Sequence, residues 1–308
     1  MFVVRHRTFF FWLTGLLLVG SIVALIVIPP RLSIEFTGGT LVEVAYTGER
    51  PPHEELVARV EALDLGEPSV RESGDRGVTV RSHTLAPEEH AALLVALSNN
   101  GEDPLTELRF NSIGPSLGRE LTTKALYAIG AVLLAIMLYI AFAFRKVSRP
   151  VPAWGYGITS VAMLAIDIIV PAGFFAVYAY FTGAQVDTLF VIALLALMGY
   201  CINDVIVIFD RVREHLRWNE ERNVKEPFEE TVGKSITETL GRSINTSLTV
   251  ALALLAIILV GSESTRIFAL VMLVGVVVGT FSSIVRSAPL LIPIATWAEK
   301  REAAKKKG

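Results

Sequence analysis

A chain of 308 residues that is 52% hydrophobic, with a positive mean hydropathy, is not an ordinary soluble domain. Its formal net charge of −2 says nothing about partners until the charge is divided by region. The single cysteine, Cys201, excludes an intrachain disulfide, and no Gly-rich phosphate loop, zinc-type Cys/His spacing or nucleophile elbow occurs. Enzyme chemistry, a cofactor and a metal are therefore not expected.

Arg5, His6 and Arg7 precede an apolar run from Phe9 to Ile28 that ends in Pro29-Pro30-Arg31. The run is too long for a typical signal core and lacks a small-x-small cleavage site. It reads as an uncleaved first membrane span with its basic end in the cytoplasm.

Residues 31 to about 122 are polar and are expected to form a separate extracytoplasmic domain. Ile34 to Tyr46 reads as a strand interrupted at Gly38-Gly39. Pro52 to Leu63 reads as a helix, with Leu56, Val60 and Leu63 on one face. Short strands follow at Ser69–Glu72 and Val78–Ser82, then a helix at Pro87–Leu97 and a strand at Leu105–Ile113. This β-α-β-β-α-β order predicts a ferredoxin-like α+β domain. The segment carries sixteen acidic residues against eight arginines. That excess fits a soluble outer module or a surface that handles another polypeptide.

Five more spans are expected within 123–298, giving a bundle of six transmembrane helices with a basic tail at 299–308. The second is Ala125–Phe144, and the third runs from about Trp154 to Tyr180 with Asp167 near its middle. After a short turn, Thr182–Asp187, the fourth begins at Leu189 and carries Asp204. Residues 210–243 read as a long polar connection. Within it Phe228, Val232, Ile236 and Leu240 recur every fourth residue, as on an amphipathic helix lying along the membrane surface. Ile244–Gly261 and Ile267 to about Ile294 complete the set. Basic clusters fall at 5–7, 145–149, 211–242 and 300–307. Alternating sides from a cytoplasmic N-terminus puts all four clusters, and both termini, inside.

An ionisable side chain within a span is expensive and usually functional. Asp204 lies about six residues from the end of its span, or roughly 9 Å deep at the helical rise. Arg242 enters the next span, so the two could meet at similar depth. A facing guanidinium favours the ionised carboxylate, whereas burial alone favours the protonated one. A contact that is made and broken would therefore switch Asp204 between two states, while a permanent contact would be a structural ion pair. Asp167 has no obvious cationic neighbour in sequence; it either bonds another helix or extends a proton path. Asn203, Asn245, Thr246 and Ser247 would add a polar lining. Gly275 and Gly279 permit a close helix contact, and Arg286 is expected to snorkel to the interface.

These residues carry a family resemblance. G-Y-C-I-N-D-V-I-V-I-F-D-R-V-R-E at 199–214 resembles the signature of SecF, the protein-export membrane protein family of the resistance-nodulation-division superfamily. Glu35-Phe-Thr-Gly-Gly-Thr40, Ser235–Ser247 and Gly279-Thr-Phe-Ser-Ser-Ile284 resemble further family blocks in the same order. The resemblance implies a bacterial inner-membrane subunit that joins a SecD-like partner. Beside the SecYEG channel and SecA, the pair would use the proton-motive force to draw unfolded preprotein outward. It implies that Asp204, Arg242 and Asp167 form the proton pathway, that the outer domain meets emerging preprotein, and that no nucleic acid is involved. Glu35 departs from the usual Asp, Cys201 stands where Ser is common, and the Asp204–Arg242 connection is a few residues longer than usual. A non-conducting assembly subunit remains a competing reading. A small-molecule or lipid exporter of the superfamily would need about twice as many spans.

Overall fold

The computed structural model describes residues 2–66, 68–145 and 150–305. Lys146, Arg149, Lys306 and Lys307 of the expected basic clusters lie outside the described residues. The chain divides into two compact units: residues 32–127, and residues 1–31 with 128–308.

In the first unit, strands β1 (Gly39–Tyr46), β2 (Ser69–Ser73), β3 (Gly77–Ser82) and β4 (Leu105–Ile113) form one sheet in the order β2-β3-β1-β4. Every neighbouring pair is antiparallel. Helices α2 (His53–Glu61) and α3 (Pro87–Leu97) connect β1 to β2 and β3 to β4. β1 and β3 alternate because one sheet face is covered. Val42, Val44, Tyr46, Val78 and Val80 point into a core completed by Leu56, Val60, Leu93 and Leu97 from the helices. The Tyr46 hydroxyl donates to the Leu97 carbonyl at 3.0 Å, and Arg59 donates to the same oxygen at 3.1 Å. Burial pushes the Tyr46 phenol up to about 12.

Residues 34–46 are not one interrupted strand. Ile34–Thr37 is a single helical turn, capped by the Ser33 hydroxyl accepting from the Glu35 amide. The chain then turns through Gly38 (φ +77°) and Gly39 (φ +122°). These are conformations that a Cβ disfavours, and space forbids one as well. A Cβ on Gly38 would lie 2.7 Å from Pro115 Cα, and one on Gly39 would lie 2.7 Å from the Ser82 oxygen. Gly118 completes the packing, since its Cβ would fall 2.8 Å from the Phe36 oxygen. The Glu35–Thr40 motif is thus a backbone-against-backbone corner, which the alternation of apolar residues does not reveal.

Six helices among the described residues are long and apolar enough to cross a membrane. They are α1 (Arg7–Val27), α4 (Pro115–Ala143), α5 (Ala153–Thr182), α6 (Thr188–Glu221), α7 (Phe228–Val260) and a sixth from Thr265 to Ala298. The sixth is composite: α8 (Glu263–Ser282), a π-helical turn at Ser283–Ser287, and α9 (Leu291–Lys305). The boundary between the two units falls inside α4. About half of the apolar window is buried in α5, α6 and the sixth span (50%, 50% and 44%), against 6%, 6% and 17% in α1, α4 and α7. The first three therefore form the centre of this unit, and the others leave apolar faces outward.

Small residues set the helix spacing. Gly275 and Gly279 admit Leu197 and Cys201 of α6; a Cβ at either glycine would overlap Leu197 Cδ2 or Cys201 Sγ. Gly173 of α5 admits Ser21 of α1 in the same way. Without a hydrophobic force between helices in lipid, such close approach supplies the packing attraction.

The stretch expected to form a separate amphipathic helix is instead part of two long helices. α6 continues to Glu221 and α7 begins at Phe228, so only residues 222–227 connect them. Val232 and Ile236 are buried against Ile208, Val212, Ala288 and Ile292, with Phe228 packed beside them, while Leu240 is exposed. The fourfold apolar stripe is real, but neighbouring helices cover it.

A buried charge site in the helical bundle

Asp204 is 5% exposed on α6, in an otherwise apolar stretch. Its Oδ2 has no hydrogen-bond partner. Arg242, one helix away on α7, acts on Asp204 through space, yet no direct ion pair joins the two. Arg242 is itself on an exposed face. Its carbonyl accepts from the Thr246 hydroxyl at 2.9 Å.

The residues expected to line the site separate into two groups. Asn203 and Asn245 fall on exposed faces, and Thr246 is half-buried. Ser247 is buried and stands at the centre of a hydroxyl chain that crosses three helices. The Tyr200 hydroxyl lies 2.9 Å from Ser247 Oγ, and Thr280 Oγ1 lies 2.5 Å from it. Thr280 also reaches the Val276 carbonyl at 2.7 Å. A carbonyl accepts only, so a Thr280 proton spent there makes Ser247 the donor to Thr280 and the acceptor from Tyr200. Tyr200 and Thr280 fall inside the two quoted family blocks at 199–214 and 279–284, but nothing in the sequence singled either out as lining the site.

Asp167 is placed otherwise than its sequence surroundings suggest. It is 1% exposed, with a cation at hand: Arg286 Nη2 lies 3.8 Å from its Oδ1, and Arg286 is 3% exposed. Arg286 therefore does not snorkel; it is enclosed within the bundle. Pro289 explains the local geometry. Lacking an amide hydrogen, it cannot close the helical bond to Val285, and its ring crowds that carbonyl. The backbone takes a π turn over Ser283–Ser287, a form associated with functional sites. An arginine three residues before a proline, inside an apolar span, was the available signal. Ser282 stands beside the carboxylate, but neither Asp167 oxygen completes a hydrogen bond, nor do Arg286 Nε and Nη1.

Cys201 links the two acidic positions. Both Asp167 and Asp204 act on its buried thiol through space. A Cβ on Gly279 would overlap Cys201 Sγ and lie 4.0 Å from Asp167 Cγ, so the glycine marks where the two side chains converge. Beyond Asp204, a crevice of about 390 Å³ is lined by Asp210, Arg211, Glu214, Glu238, Thr239 and Arg242, with Ile206 and Val207. Arg211 bridges Glu214 and Glu238 across it, and His215 Nε2 lies 3.0 Å from Glu238. Among the described residues no group of His, Cys, Asp and Glu is arranged to hold a metal.

Six membrane-length helices around buried charges, with a folded α+β unit between the first two, define a multi-pass membrane protein with an internal charge site. The chain matches the family described as protein export membrane protein SecD/SecF, C-terminal, over residues 94–297, and the SecD/SecF GG motif over residues 23–48. It is 36% identical to the protein translocase subunit SecF of Thermobaculum terrenum, covering 97% of this chain and 94% of that one. It is 35% identical to the corresponding subunit of Anaerolinea thermophila, covering 94% and 92%. The crystal structure of SecDF, a translocon-associated membrane protein from Thermus thermophilus, superposes with a TM-score of 0.76 at 30% identity. That match covers 94% of this chain and 38% of the SecDF chain, so this chain spans well under half of it. The chain belongs to the SecF family of protein translocase subunits.

Proposed function

We propose that this chain is the SecF half of a proton-driven motor that, with a SecD-like partner, promotes preprotein movement after SecA and the SecYEG channel have acted. One observation carries the reading. Asp204 is buried in a membrane-length helix with an unpartnered oxygen, and Arg242 influences it without pairing to it directly. A carboxylate so placed has a proton-bound and a proton-free state that a small shift of Arg242 can exchange. A proton crossing about 100 mV releases about 2.3 kcal/mol, enough to bias a conformational change.

In this proposal Asp204 and Arg242 exchange the proton, Asp167 is the charged group beside the path, and Ser247 and Thr246 belong to its lining with Asn203 and Asn245. The exposed faces that carry Arg242, Asn203 and Asn245 are where the SecD-like spans would close the path, supplying a second half-bundle. The proposed topology has both termini cytoplasmic. It places an outer domain of ferredoxin-like fold over about 31–122 between the first span and spans two to six (123–298), with the basic tail at 299–308 inside. The strand order β2-β3-β1-β4 supports the fold reading. The outer domain is proposed to meet emerging preprotein, and the proposal needs no ATP site in this chain.

The test is proton-gradient-dependent preprotein translocation in vesicles holding the assembled complex, for wild type, Asp204→Asn and Arg242→Ala. Both variants should assemble and lose the gradient-dependent component. Normal assembly with that component retained would refute the proton role and leave a non-conducting stabilising subunit.

A further inference from the structure

Asp167 and Arg286 are both almost wholly buried and stand 3.8 Å apart. An isolated charge in such a place is far costlier than a paired one, and removing one partner of a buried pair strands the other. The turn that carries Arg286 is set by Pro289 rather than by a mobile loop. Its direction toward Asp167 is therefore built into the backbone of the sixth span. Asp204 differs in that its cation is exposed and not in direct contact.

Groups reach Asp167 from two of the elements packed against α5. The sixth span supplies Ser282, Gly279 and Arg286. α6 supplies Cys201, beyond which lies Asp204. Arg286 is the cation that acts on Asp167, and Asp204 is the second acid near the same thiol. Two carboxylates sharing a low-dielectric region repel unless one is neutralised.

We propose that Arg286 is a positioning residue that holds Asp167 as a standing ion pair, so that the exchangeable proton is confined to Asp204. This rests on the proton-coupled reading above. Asp167 then contributes a fixed, locally neutralised charge instead of a carrier. The pair also fastens α5 to the π turn, keeping Gly279 and Cys201 in register beside Asp204.

The experiment compares carrier and fixed-pair roles in the complete complex, reconstituted with its SecD-like partner. Gradient-dependent translocation is measured for Arg286→Lys, Arg286→Met, Asp167→Asn and the double variant Asp167→Asn/Arg286→Met, with assembly followed in the same samples. Each neutralising single variant leaves one buried charge alone and should lower the gradient-dependent rate by about tenfold or more. Arg286→Lys keeps the charge and should retain most of it. The double variant removes both charges and should recover to within about threefold of wild type. Asn and Met exchange no proton, so a double variant that assembles but stays as inactive as Asp167→Asn would overturn the proposal and make Asp167 a carrier. Should the double variant fail to assemble, an Arg286→Lys rate as low as that of Arg286→Met would overturn it equally. Asp204→Asn is run beside them: full gradient dependence in that variant refutes the proton reading itself, whatever the Arg286 variants do.

Discussion

Replacing Gly38 with Ala tests whether the Glu35–Thr40 corner is held by backbone contact or only by backbone conformation. Gly38 sits at φ +77° and ψ 169°, a region essentially reserved for glycine, where a side chain costs roughly 1–3 kcal/mol. Its new Cβ would also lie 2.7 Å from Pro115 Cα and 2.9 Å from Pro115 N, backbone atoms that no side-chain rotation can clear. Overpacking of that kind adds about 1–3 kcal/mol. Gly74 provides the control. It has φ +64° in the β2–β3 turn, with nothing within 4 Å of an added Cβ, so Gly74→Ala meets the conformational term alone. The assay is hydrogen exchange of the β1 amides in the full-length chain, read as the free energy of opening. Gly38→Ala should lower that energy by about 2 kcal/mol more than Gly74→Ala, or roughly thirtyfold in opening. Equal losses in the two variants would refute the contact argument and leave backbone strain as the whole effect.

Tyr46 gives a pH signature outside the membrane. Its phenol is pushed up to about 12 by burial, from an ordinary value of 10.0. The stabilisation is fully present below pH 10 and lost as pH rises through 12, because the folded unit then holds a proton the unfolded chain releases. Unfolding of the 32–127 unit followed across that window should show a falling stability that Tyr46→Phe flattens. Tyr46→Phe should itself cost only about 1 kcal/mol at neutral pH, since Arg59 still donates to the Leu97 carbonyl. Val232→Ala separates a protein-covered stripe from a lipid-facing one. With Val232 fully buried among Ile208, Val212 and Ile292, the loss should be about 1–3 kcal/mol in detergent-solubilised thermal unfolding. A change within about 0.5 kcal/mol, as for an exposed position, would contradict the packing.

Much of the bundle was legible because a membrane span is a local property. Length, hydropathy and the scarcity of charge mark Phe9–Ile28 or the run leading to Asp204 without any knowledge of neighbours. Asp204 stood out for the same reason, as a charge inside such a run. Val232 and Ile236 were equally visible as a stripe. A stripe tells which face is apolar, though, not whether lipid or another helix covers it, and α7 continues unbroken so that helices cover it.

Other features depend on distances between segments far apart in the chain. Ile34–Thr37 has strand-like composition, yet the Ser33 cap and the close passage of Pro115 and Gly118 make it a helical turn. Asp204 and Arg242 lie at related depths, but only helix rotation decides that they influence each other without bonding. The sequence alone determined six spans, a polar unit between the first two, and the acids and glycines that mark the family. Tertiary structure alone decided that Arg286 turns inward to Asp167, because that pairing requires α5, α6 and the π turn to meet at one depth and one rotation. Hydropathy is additive along a chain, whereas pairing depends on the positions of two helices at once.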